Sequence, residues 1–146
     1  MAVTDELALA RSYKRAGDAL VEKALSDADL SYKWAYPVLF LYRHTIELNL
    51  KLIVRPIKPN HKMPELVEQF CSVVGNKLGL SVPQWATNRL LEFSEVDPES
   101  QAFRYAKDRK GGWSMVQGGE WWVDFNHLRK TMDVLVQGFE RAHFCN

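Results

Sequence analysis

An all-α bundle is the fold class this sequence predicts, and three observations predict it. Apolar residues recur at helical spacing through most of the chain. The clearest case is near the C-terminus, where Phe125, Leu128, Met132, Leu135, Phe139 and Ala142 fall alternately three and four residues apart. Most prolines and both glycine pairs lie between those periodic runs, where helices would end. Finally, 47% apolar and 12% aromatic residues in a chain of 146 suffice for one core.

Each element follows from local signals. Thr4 before Asp5 and Glu6 reads as a capped, acid-rich helix start, and an Ala/Leu-rich run carries that helix to about Ala28. The second helix starts near Ser31, or a few positions later if Pro37 supplies a first-turn residue, and ends before Pro56 and Pro59. RPIKPNHKMP is then a loop. Pro64 opens a third helix, with Gly75 and Gly79 at its frayed end, and Pro83 opens a fourth through QWATNRLLEFSEV. Asp97 to Ser100 breaks the pattern. Gln101 to Val123, rich in glycine and tryptophan, is expected to form an irregular loop or a small hairpin. Asp124 caps the last helix. No internal repeat or low-complexity tract divides the chain, so residues 1–146 are expected to form one up-and-down bundle.

Nineteen basic side chains against eighteen acidic ones exclude the global positive charge of a protein that coats nucleic acid, so any anion binding has to be local. Cys71 and Cys145 make neither a disulfide framework nor a paired-cysteine metal motif, and a reducing cytoplasm is the expected setting. The apolar run Tyr36 to Ile53 approaches membrane-spanning length. It carries Arg43, His44, Glu47 and Lys51 near its centre, however, at a cost of about 2.5 to 3.5 kcal/mol per charge on insertion scales, and it reads as a core helix.

That polar stripe is the first candidate site. Arg43, Glu47 and Lys51 recur at i, i+4 and i+8, with His44 three residues before Glu47, so one carboxylate lies within reach of two cations and an imidazole. A half-buried ion network is the simpler account; the functional one is a floor for a phosphate, held by Arg43 and Lys51 and oriented by Glu47, with His44 as a titratable group. The second candidate is FRYAKDRKGG, the densest basic cluster. Arginine beside an aromatic ring stacks on bases and clamps phosphates, although solvated lysines with one arginine turned to Glu47 would give the same string. Histidines 44, 61, 127 and 143 match no metal motif, and neither a glycine-rich phosphate loop nor a nucleophile elbow occurs, so no metal or cofactor is expected. Trp113, Trp121 and Trp122 are expected to close the open end of the core, the alternatives being a ligand-facing surface or, if they are exposed, a partner interface.

In order along the chain, FLYRHTIELNLKLIV with Glu47 and Lys51, HKMPEL with His61 and Leu66, AFRYAKD with Arg104 and Tyr105, and the final amphipathic helix together resemble the HEPN domains. The resemblance spans roughly residues 5 to 143, with Ala106 standing where the family often has proline. It implies a helical bundle, frequently a homodimer, that binds a nucleotide or RNA through Arg43, His44, Glu47, Lys51, Arg104 and Tyr105. It also implies a protein partner, an antitoxin or a nucleotidyltransferase, in toxin-antitoxin or antiviral defence. Cleaving members pair an arginine with a histidine four to six residues on, without metal. Here only Arg55 and His61 have that spacing, in a loop with two prolines rather than on a helix. The alternatives are therefore a ribonuclease dimer using Arg55 and His61, and a structural interaction module in which the stripe is an internal ion network.

Overall fold

A computed structural model describes residues 3–27, 31–55, 62–97, 102–103, 114–117 and 120–144. Five α-helices carry the described fold: α1 (Val3–Ser26), α2 (Ala35–Val54), α3 (Met63–Val73), α4 (Gln84–Phe93) and α5 (Phe125–Phe144). Two small antiparallel pairs sit between α4 and α5. β1 (Val96–Asp97) pairs with β2 (Ala102–Phe103), and β3 (Ser114–Gln117) pairs with β4 (Glu120–Val123). The chain is thus an all-α bundle with a small hairpin in the Gly/Trp-rich segment before its last helix.

The ends differ from the sequence expectation where a stronger local signal takes over. Helix α1 begins at Val3, so Thr4 lies within the first turn rather than capping it. A single tight turn, Ser31–Trp34, precedes α2, which places Pro37 in the first turn of the α-helix proper. Helix α3 widens over Val74–Leu78 into a turn with i→i+5 spacing. It stops at Gly79, whose φ of 65° is the left-handed conformation glycine adopts without cost and whose N–H reaches the Gly75 carbonyl at 3.1 Å. Helix α4 ends at Phe93, short of Val96, because the chain passes into β1 ahead of Pro98 and the residue before a proline is turned away from helix. Asp124 does cap α5: its Oδ1 accepts the His127 N–H at 3.0 Å.

The predicted seam of α5 forms the centre of the core. Phe125, Leu128, Met132, Leu135, Phe139 and Ala142 are all buried, and Phe139 meets Phe70 of α3 edge-to-face with centroids 5.5 Å apart. Val38, Leu39, Tyr42, Ile46 and Leu50 of α2 close the same core. Helix α1 runs antiparallel to α2, Tyr13 meeting His44 while Gly17 meets Tyr42. A methyl group at Gly17 would fall inside the Tyr42 ring, so glycine is what lets these two helices approach. Helix α1 is also antiparallel to α5, through Arg11 with Glu140 and Arg129 with Glu22. Helices α2 and α5 therefore run in the same sense. Among the described residues no helix is long and apolar enough to cross a membrane.

Candidate functional site

The stripe on α2 does not close into one site among the described residues. Arg43 and Glu47 pair at 3.4 Å, each about a quarter exposed. The ring of His44 packs instead against Tyr13 edge-on, centroids 4.4 Å apart, and lies parallel to Phe40 at 6.4 Å. Lys51 is exposed, and no ion pair joins it to a described residue. The expected four-membered network reduces to one helical ion pair, because a lysine at a solvent-facing position keeps its ammonium hydrated.

The proposed catalytic pair is only half visible. Arg55 is exposed at the C-cap of α2, its φ of 51° left-handed and its N–H bonded to the Lys51 carbonyl at 2.8 Å, which ends the helix ahead of Pro56. His61, Arg104, Tyr105, the lysines and arginine after them, and Trp113 lie outside the described residues, as do the side chains of Trp121 and Trp122.

Two regions that sequence reasoning missed flank α5. On the α1 side, α1, α2 and α5 border a cavity of about 220 Å³ lined by Ala10, Arg11, Lys14, Arg15, Thr45, Asn49, Val136 and Glu140. Apart from Arg15, its charges answer one another. Arg11 grips Glu140 with two hydrogen bonds, at 2.8 and 2.7 Å, and Lys14 bridges Asp18 and Asp133. The buried hydroxyl of Tyr42 donates to the other oxygen of Asp18 at 2.6 Å. Burial first, and then this bond, raise the phenol well above its ordinary value. His143 Nε2 donates to Asn49 Oδ1 at 2.9 Å, and Asn49 Nδ2 donates to the Thr45 carbonyl at 2.9 Å. Desolvation is the main cause lowering the His143 pKa, Glu140 opposing it and Arg11 adding to it. Glu140 is held below the usual carboxylate range, chiefly by its hydrogen bond to Arg11. Glu47 lies two residues from both Thr45 and Asn49, about half a turn from each, so the stripe and this cavity occupy opposite sides of α2.

On the α4 side the balance differs. A cavity of about 350 Å³ between α4 and α5 is lined by Trp85, Asn88 and Arg89 of α4 and by His127, Lys130, Thr131 and Val134 of α5. None of those seven is a carboxylate. Arg89 is buried and pairs with Glu92 at 3.2 Å, side chains 9% and 5% exposed, yet its Nε has no hydrogen-bond partner among the described residues. Lys130 is exposed and forms no ion pair with a described residue. With Glu92 already against Arg89, solvated Lys130 is the cation left among the described residues to favour an anion in this cavity. Trp85, 46% exposed, presents an aromatic ring at the rim. The signal was present in each helix, as Trp85, Asn88 and Arg89 at i, i+3, i+4 and His127, Lys130, Thr131 and Val134 at i, i+3, i+4, i+7. Their meeting is tertiary.

Among the described residues no cluster of histidine, cysteine, aspartate or glutamate could hold a metal ion. The fold and the cavity define a class: an all-α bundle with a cationic, aromatic-rimmed pocket between its last two helices. Comparison with protein-family models, with curated proteins and with solved structures found no match to the chain.

Proposed function

We propose that this protein binds a phosphate-bearing ligand, a nucleotide or an RNA segment, in the cavity between α4 and α5, and that it works with a protein partner as an HEPN-like module of a toxin-antitoxin or antiviral system. One observation carries the reading: Arg89 and Lys130 line the cavity beside exposed Trp85, with no carboxylate among the described residues of its lining. An aromatic platform next to cations is how single-stranded nucleic acid is held without sequence preference, the rings stacking on bases while the cations track phosphates. The ordered resemblance of Glu47 and Lys51, then Arg104 and Tyr105, to the HEPN pattern supports the same ligand class. Exposed Lys51 lies outside the cavity, and its contribution is tested in the same assay.

The test is the anisotropy of a fluorescein-labelled single-stranded RNA, titrated with wild type, Lys130→Gln and Lys51→Gln at two salt concentrations. Wild type binds, binding weakens with salt, and Lys130→Gln weakens it several-fold with a salt slope shallower by about one phosphate contact. Equal binding by wild type and Lys130→Gln, or loss in Lys51→Gln alone, would place the ligand elsewhere.

A further inference from the structure

The cationic cavity does not end at Trp85 and Val134. Both side chains also line a neighbouring cavity of about 290 Å³, walled by Val74, Leu78, Leu80, Val82 and Phe139 and edged by Arg141. The exposed apolar surface here is continuous: Leu80 is 60% exposed, Trp85 46% and Val134 48%. Like the first cavity, this groove has no carboxylate among the described residues of its lining. Lys130 and Arg141 stand three turns apart on α5, at opposite ends of the joint surface, and neither forms an ion pair with a described residue.

Charge decides what can cover it. A second copy meeting the groove about a two-fold axis would set this cationic surface against itself. A nucleobase inserted into the groove would leave its ring N–H and carbonyl groups facing Leu78, Leu80 and Val82, at the cost of unmade hydrogen bonds. A helix presenting apolar residues at i, i+3 and i+7 with glutamates beside them satisfies both the groove and the cations. We infer that the α4/α5 face docks an acidic amphipathic helix of a partner protein, whose apolar side chains fill the groove and whose carboxylate enters the Arg89/Lys130 cavity. Because Trp85 and Val134 belong to both cavities, the partner and the phosphate ligand exclude each other. The exclusion rests on the function proposed above; the docking itself does not.

The experiment uses a synthetic helical peptide with leucines at those spacings flanked by glutamates, its counterpart with lysines in place of the glutamates, and the labelled RNA as competitor. Wild type binds the acidic peptide at least tenfold more tightly than the basic one, and the acidic peptide displaces RNA. Val134→Asp loses both peptides, and Lys130→Glu reverses the preference, a gain that misfolding cannot produce. Equal affinity for the two peptides overturns the inference, as does a dimer of the free protein that Val134→Asp dissociates. Peptide binding that leaves bound RNA undisturbed removes the exclusion but not the docking, whereas absence of RNA binding with the peptide preference intact removes only the phosphate reading.

Discussion

The two sides of α5 carry comparable numbers of polar groups and do opposite things with them. Towards α1, Asp133, Glu140 and His143 are answered by Lys14, Arg11 and Asn49, so apart from Arg15 the polar groups that α5 meets at this cavity already have partners. Towards α4, Lys130 and Arg141 face solvent beside exposed Trp85 and Val134, and no described residue lining that surface is a carboxylate. Paired charge fixes where a helix lies; unpaired charge beside exposed apolar surface is what recognition uses. A cavity walled by paired charges is therefore a weaker pointer to function than exposed cations that no described carboxylate answers.

The comparison can be broken at its shared axis. Phe139→Ala removes a ring from the seam that supports both sides, and denaturant unfolding should show a loss of about 3 to 5 kcal/mol. A smaller loss would mean the core relaxes into the space. On the paired side alone, Tyr42→Phe removes the donor to Asp18 and should cost about 1.5 to 3 kcal/mol, as for a bond to a charged acceptor, whereas Lys130→Gln on the open side should stay within about 0.5 kcal/mol. Similar losses for the two would erase the distinction drawn here.

Acid should act on the paired side. His143 has its pKa lowered in the folded state, so its contribution is complete above the unfolded value near 6.5 and is lost as pH falls through the lower folded value. Glu140, also lowered, adds a loss that begins below its ordinary 4.5. Stability of His143→Gln measured alongside wild type should fall less between pH 6.5 and 4.5; parallel curves would show that His143 carries no linkage. A small effect is also expected at the stripe. Glu47→Ala breaks a partly exposed i,i+4 pair and should cost less than about 1 kcal/mol, not the roughly 3 to 5 expected of a fully buried network.

How much of this was legible in the sequence depended on whether the signal was local. The α5 seam and its Asp124 cap could be read directly, since both are set by spacing within one helix. Nothing in the sequence around Gly17 marks it out; its role is set by Tyr42, which arrives from another helix. The stripe was legible as a pattern but not as a pairing, because periodicity places Lys51 near Glu47 without saying that water competes for it. The α4/α5 cavity was invisible for the same reason: Arg89 and Lys130 become neighbours only once the two helices pack.

The most direct test sets one cation from each side against the same labelled RNA. Arg15 of the α1-side cavity, like Lys130, has no carboxylate partner among the described residues, and it bonds only Ser12 Oγ, at 3.3 Å. If the open side of α5 is the binding side, Lys130→Gln weakens RNA binding several-fold while Arg15→Gln leaves it within experimental error of wild type. Loss of binding in Arg15→Gln with Lys130→Gln unaffected would contradict the account.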